Sequence, residues 1–201
     1  MTYRFDTPSA MEEAFGNNTS GKEPESFGKL RTTIIGRAEQ VVGLLASKNK
    51  KISIAESCTG GMITSAIVGV SDASKVIDLG ICTYSPEMKS QILGVKPETI
   101  ESHGVVSDVV ATEMALGVMK LSGADIAVST TGVAGPDGGT PRTPVGMVYY
   151  SIITRSGFSQ TRWLSVKSAS IYAWQKREYV RLFSTNEILV ILESLLLNAV
   201  I

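Results

Sequence analysis

Three short apolar runs rich in β-branched residues, KISIA (Lys51–Ala55), VIDLGICTY (Val76–Tyr84) and ADIAVST (Ala124–Thr130), are separated by stretches with helical spacing. Runs this short read as buried strands, and the helical stretches between them carry the chain from one strand to the next. Two further runs, VGMVYYSII and FSQTRWLSV, flank Arg155-Ser156-Gly157 and predict a β-hairpin. Strands alternating with helices and then a hairpin predict an α/β sandwich with a mixed sheet. At 201 residues with 43% hydrophobic content, the chain suits one domain with a well-buried core.

The helices are marked by their ends. Leu30, Ile34, Val41, Val42 and Leu45 place a helix over Leu30–Leu45. Another spans about Gly60–Val70. Ser85-Pro86-Glu87 combines a capping serine, a first-turn proline and a first-turn acid, and starts a helix that stops at Gly94. A short helix runs from Pro97 to Ser102, and Ser107 caps a long one that reaches about Ser122. Gly80, inside the second strand, marks a bulge or a close backbone approach. The C-terminus is helical from about Ser170, with a restart at Ser184 where Ser184-Thr185-Asn186-Glu187 fits a capping box. The tail Ile188–Ile201 is apolar on nearly every side, which places it at a subunit interface and predicts a homo-oligomer. Residues 1–28 are polar, without period, and read as a disordered or loosely attached arm; residues 29–201 form the domain.

Composition excludes several kinds of function. Nineteen basic and nineteen acidic residues give zero net charge, which argues against a nucleic-acid partner held through phosphates. No apolar run approaches the roughly 18 residues of a membrane span, and the N-terminus has no signal pattern, so no membrane association and a cytoplasmic location are expected. His103 is the sole histidine, and Cys58 and Cys82 are the only cysteines, both in apolar segments. A metal site or a histidine-based triad is therefore not expected, unless His103 itself is a base.

Chemistry concentrates in two places. The first strand runs directly into Ser57-Cys58-Thr59-Gly60-Gly61 and then a helix, so three adjacent side chains are candidate nucleophiles beside unpaired helix-start N–H groups. Ser57 or Thr59 can equally serve as a helix cap. Cys58 is the strongest nucleophile by nature but lacks a histidine partner; Ser57 and Thr59 need a base. Lys89, in the first turn of the helix begun by Ser85-Pro86, is the candidate, since a helix N-terminus and burial both disfavour its cation. Tyr84 places a phenol nearby. The second place is the loop TTGVAGPDGGTPRTPVG, where Gly132, Gly135, Gly138 and Gly139 allow left-handed turns and close approach to a ligand, or simply a long turn. It lacks the Gly-Lys-Ser/Thr of a P-loop.

Taken together, AESCTGG, TYSPEMK, GVVSDVVATEMALG and STTGVAGPDGG followed by PVGMVYY resemble the CinA C-terminal-domain family, whose active members are nicotinamide-nucleotide amidases. The matching motifs occur in family order over about Ile52–Tyr150. The resemblance implies a three-layer αβα sandwich, an oligomer, no metal and no cofactor, and hydrolysis of nicotinamide mononucleotide (NMN) to nicotinate mononucleotide and ammonia. It implies Ser57 as nucleophile, Lys89 as general base, Tyr84 as a polar relay between them and Thr131 as a supporting residue. Thr59, Gly60 and Gly61 would surround the oxyanion, and Gly132, Gly135 and Gly139 would lie against the substrate. The family's Gly-Asp-Arg segment is replaced here by Gln175-Lys176-Arg177, after a lengthened stretch VKSASIYAW, with Arg181 four positions on. Arg177 and Arg181 share a helix face and would clamp the nucleotide phosphate, in their own subunit or in a neighbouring one. A non-catalytic family member and an amidase for another small carboxamide are the alternatives.

Overall fold

The computed structural model describes residues 25–166 and 173–201. Their order is α1 (Glu25–Ser47), β1 (Ile52–Glu56), α2 (Met62–Val68), a 3-10 turn (Ala73–Lys75), β2 (Ile77–Cys82), α3 (Pro86–Leu93), α4 (Pro97–His103), α5 (Asp108–Ser122), β3 (Ile126–Gly132), β4 (Met147–Thr154), β5 (Ser159–Ser165) and α6 (Ala173–Leu197). The sheet has strand order β2-β1-β3-β4-β5. β1 is parallel to both its neighbours, while β4 is antiparallel to both β3 and β5, so the sheet is mixed.

Side-chain alternation along the strands builds two cores. Ile52 and Ile54 of β1, Ile126 and Val128 of β3, and Val148, Tyr150 and Ile152 of β4 face α1, α2 and α6. Ala55, Ala127 and Ile153 face the opposite layer, where they meet Val110, Met114, Ala115 and Val118 of α5 and Leu93 at the end of α3. The fold is a three-layer αβα sandwich. Small residues on the second face let α5 approach closely. At Gly117 a Cβ would lie 2.0 Å from the Leu93 carbonyl oxygen, so any side chain there would force α3 and α5 apart.

α1 and α6 lie side by side and run in the same direction. Phe27 meets Tyr179 edge-on near one end, and Arg37 pairs with Glu193 further along. This contact accounts for the apolar tail. Ile188, Leu189, Leu192 and Leu196 are fully buried within a single chain, by α1 and the sheet, so their burial needs no second subunit.

Several element boundaries differ from the sequence-based expectation. α1 starts at Glu25 and Phe27 is buried, so residues 25–28 belong to the domain; the remainder of the expected arm, 1–24, lies outside the described residues. The expected helix start near Ser170 lies outside them too, as does most of the lengthened stretch before Trp174. α6 does not restart at Ser184. Ser184 and Thr185 are buried in mid-helix, and the Thr185 hydroxyl donates back to the Arg181 carbonyl at 2.9 Å. The capping-box pattern is overridden because continuing the helix keeps Leu182, Phe183, Ile188 and Leu189 on the core. Gly80 marks a close approach: a Cβ there would sit 2.2 Å from Thr64 Cγ2, and the irregularity in β1–β2 pairing falls at Ile52/Ser53 instead.

Candidate active site

β2 and β3 flank β1 on opposite sides, and the intervening helices switch from one face of the sheet to the other. That reversal opens a crevice beyond the carboxyl ends of β1 and β3, the usual ligand position in open α/β sheets. Ser57 follows β1, and Thr131 and Gly132 end β3. A pocket of about 180 Å³ occupies the crevice, lined among others by Ser57, Tyr84, Val105, Thr131, Gly132 and Arg177.

Lys89 reaches this floor from α3. The helix is started as its sequence demands, with the Ser85 hydroxyl accepting from Met88 N–H at 3.2 Å and Pro86 in the first turn. Lys89, one turn in, is turned inward and has no solvent exposure. Its Nζ donates to Ser57 Oγ at 2.9 Å, to the Thr83 carbonyl at 2.7 Å and to the Tyr84 carbonyl at 3.2 Å. Three oxygen acceptors satisfy the ammonium, but among the described residues no carboxylate pairs with it. Desolvation therefore dominates and lowers the Lys89 pKa to about 8.

The adjacent thiol is the opposite case. Cys58 packs in the apolar core and also contributes to the pocket lining; burial pushes its pKa up to about 12, so it stays a neutral thiol. Thr59 is fully buried, and its hydroxyl shares a hydrogen bond with Thr130 at 2.8 Å. Its hydroxyl is thus engaged with Thr130 rather than turned to the oxyanion position that the resemblance implied. The Gly60 N–H is also engaged, closing a turn onto the Ser57 carbonyl at 3.1 Å. Gly60 and Gly61 adopt φ of 61° and 87°, values that glycine reaches without strain and that bring the chain round into α2.

The start of α2 is not the free anion site expected from its position. Glu56, fully buried at the end of β1, turns its carboxylate onto the Ile63 N–H (3.2 Å), the Thr64 N–H (2.8 Å) and the Thr64 hydroxyl (2.8 Å). It caps the helix from seven residues upstream, across the turn that carries Ser57. Sequence reasoning missed it because its distance in sequence matches no local capping pattern; the one available signal was an acid beside a helix start.

Tyr84 does not stand between Ser57 and Lys89 in the structure. Lys89 contacts Ser57 directly, while the Tyr84 phenol is exposed and accepts from Arg177 Nη2 at 3.0 Å. Arg177 Nη1 donates to the Gly135 carbonyl at 2.8 Å, so the guanidinium bridges the glycine-rich loop and Tyr84 at the rim of its own chain's pocket. Arg181 takes no part in that rim. Its Nε and Nη2 donate to the Thr59 carbonyl at 3.3 and 3.2 Å, and its Nη1 pairs with Glu178 at 3.2 Å. Thr131 donates to the Val105 carbonyl at 2.8 Å and so ties the Val105-Val106 wall to β3. Gly132 lines the pocket with no room for a Cβ, which would fall 2.6 Å from the Met147 carbonyl. Gly135 and Gly139 serve the loop's own packing on Val145, and Gly139 is exposed away from the pocket. His103 is exposed at the end of α4, outside the pocket lining. No cluster of three or more His, Cys, Asp or Glu suited to a metal exists among the described residues, and no described helix is long and apolar enough to cross a membrane.

Fold and site together define an α/β protein with a serine–lysine pair at the switch point of a mixed sheet. A family model of the CinA C-terminal domain matches residues 35–196, and the chain belongs to that family. It is 50% identical over 114 residues to a CinA-like protein of Thermotoga maritima, covering 57% of this chain and 28% of that protein. It is 44% identical over 149 residues to a CinA-like protein of Shewanella pealeana, covering 74% of this chain and 33% of that protein. The chain thus matches about a third or less of the length of these relatives. Among solved structures, the competence/damage inducible protein CihA from Agrobacterium tumefaciens superposes with a TM-score of 0.75 at 33% identity, covering 81% of this chain and 95% of that one. A CinA superfamily protein from Klebsiella pneumoniae gives a TM-score of 0.75 at 30% identity, covering 82% and 98%.

Proposed function

We propose that the chain is an amidohydrolase that converts NMN to nicotinate mononucleotide and ammonia through an acyl-enzyme on Ser57. The observation that carries this reading is the 2.9 Å contact between Ser57 Oγ and the buried amine of Lys89. A serine needs a base to attack a carboxamide, and a lysine serves only where its cation is disfavoured. Lys89 fits, because burial brings its pKa to about 8 with no carboxylate among the described residues to restore the charge.

Neutral Lys89 takes the Ser57 proton as Oγ attacks the carboxamide carbon. The tetrahedral oxyanion draws on the N–H groups of Cys58 and Thr59, whose partner in the resting structure is the weakly accepting Cys58 thiol. Lys89 returns the proton to the leaving nitrogen and ammonia departs. A water, deprotonated by Lys89, then attacks the acyl carbon and frees Ser57. Arg177, at the rim, receives the phosphate: among the described residues its hydrogen-bond partners, Tyr84 and Gly135, are neutral, so its charge is available. Replacement of the family's Gly-Asp by Gln175-Lys176 leaves the arginine at this rim.

Homo-oligomerisation is also part of the proposal. It rests on the apolar side chains that α6 and its extension leave exposed at Leu197 and Val200, and light scattering tests it. For the activity, the test is ammonia release when purified protein is given NMN, with Ser57→Ala as control. Wild-type protein that releases no ammonia from NMN, or an equally active Ser57→Ala, overturns the reading.

A further inference from the structure

The peptide between Thr59 and Gly60 is gripped at both ends. Its N–H donates to the Ser57 carbonyl at 3.1 Å, closing a turn whose first residue is the proposed nucleophile. Its carbonyl receives the Met62 N–H from the next turn at a long 3.4 Å and, at shorter range, two N–H groups of one guanidinium, Arg181 Nε at 3.3 Å and Nη2 at 3.2 Å. Gly60 leaves the space for this. A Cβ on it would stand 3.1 Å from Arg181 Nη2, on a backbone of φ 61° that L side chains rarely adopt. The guanidinium is itself held. Glu178 binds Arg181 Nη1 through one carboxylate oxygen at 3.2 Å and Arg31 of α1 through the other, also at 3.2 Å. Arg181 does not line the pocket, whereas Arg177, one turn earlier on the same helix, does.

We propose that Arg181 is a positioning residue that locks the Ser57 turn onto the α1–α6 helix pair, so that Ser57 Oγ stays in register with Lys89, and that it does not bind substrate. The inference rests on the amidase reading. Charge-assisted bonds to a carbonyl are stronger and more directional than neutral ones, and here they fix the peptide plane that closes the turn. Among the described residues, Ser57 Oγ meets no side-chain donor other than Lys89, and the one further side chain on this residue is the Cys82 thiol, a long 4.0 Å contact to the Ser57 carbonyl. Small displacements of a nucleophile from its base cost rate, with no change in affinity for remote parts of the substrate.

The test compares wild type, Arg181→Ala and Arg181→Lys with NMN and with nicotinamide riboside, which lacks the phosphate. Labelling of Ser57 by a fluorophosphonate probe and melting temperature are measured alongside. Arg181→Ala is expected to lose about tenfold or more in kcat on both substrates, with KM within about twofold, and to be labelled correspondingly more slowly. Arg181→Lys, which keeps the charge and a donor, recovers part of both, and added guanidinium at low concentration restores labelling of Arg181→Ala. A loss confined to KM and to the phosphorylated substrate would make Arg181 a phosphate ligand and overturn the proposal. Unchanged kcat and labelling would also overturn it. If Arg181→Ala does not fold, Arg181→Lys carries the same comparison. If wild type does not turn over NMN, the amidase reading fails, and labelling still decides whether Arg181 positions Ser57; a wild type that is not labelled at all ends both.

Discussion

At the scale of single residues, the energetics turn on Lys89. Moving its pKa from 10.5 to about 8 penalises the charged form by about 3 kcal/mol, at about 1.36 kcal/mol per unit. The folded value lies below the unfolded one, so the folded state binds fewer protons between these limits and stability rises with pH across that window. The penalty is fully present below pH 8 and fades as pH approaches 10.5. Replacing Lys89 by Met removes a group whose folded form is penalised, so the stability of Lys89→Met relative to wild type should shift against the variant as pH rises through that window. Urea denaturation at several pH values measures it; no shift, or one in favour of the variant, would show that Lys89 is not desolvated. The same value governs rate. With NMN, kcat/KM should climb about tenfold per pH unit below 8 and level off above it. Lys89→Arg, which cannot deprotonate, should be as inactive as Lys89→Ala. At the neighbouring positions, Ser57→Ala should abolish turnover while Cys58→Ala retains most of it, because the Cys58 thiol is held neutral in the core. Steady-state ammonia assays separate these outcomes.

At the scale of elements, two helix ends reverse what local patterns suggest. The start of α2 has no side-chain cap at Gly61, and the work falls to Glu56. Removing that carboxylate strands the buried Ile63 N–H and leaves the half-buried Thr64 N–H and hydroxyl without their acceptor, so Glu56→Ala should cost about 2 kcal/mol of stability. Denaturant unfolding measures it, and a loss near zero would mean that water replaces the carboxylate. Ser184 makes the converse case. As an N-cap its loss would destabilise by about 1 kcal/mol. In the structure its hydroxyl is buried without a partner, so Ser184→Ala should leave stability unchanged or raise it. The pattern Ser-Thr-Asn-Glu was legible and its use was not, since whether a helix continues through a capping motif depends on the core it faces on either side. By contrast the caps at Ser85 and Ser107 function as their sequences suggest, each accepting from the N–H three residues on. Ser85 caps at a largely exposed turn, and Ser107, though buried, has its hydroxyl committed locally by its bond to the Gly104 carbonyl, so neither cap has a tertiary competitor.

For the whole molecule, the pairing of α1 with α6 changes the meaning of the apolar C-terminal segment. Leu192→Ala should cost about 2–5 kcal/mol as a core cavity. Because Leu192 is buried by its own chain, that loss should not depend on protein concentration, whereas a residue at a subunit contact would show such dependence. Thermal unfolding across a range of concentrations decides between them. The α/β class, the mixed sheet, the hairpin and most helix boundaries were legible in the sequence because hydrophobic period and turn residues act locally. So was the set Ser57, Lys89, Thr131 and Arg177, whose members the structure gathers around one pocket. The tertiary structure alone decided which partner each group meets. Tyr84 faces Arg177 rather than standing between Ser57 and Lys89, Thr59 turns to Thr130, Arg181 holds the Thr59 carbonyl, and Glu56 reaches across a turn to cap α2. Each of these is a directional hydrogen bond, most of them between residues far apart in sequence. Periodicity specifies which face of an element is buried, but a directional bond is specified only when the packed elements fix the position and orientation of both groups.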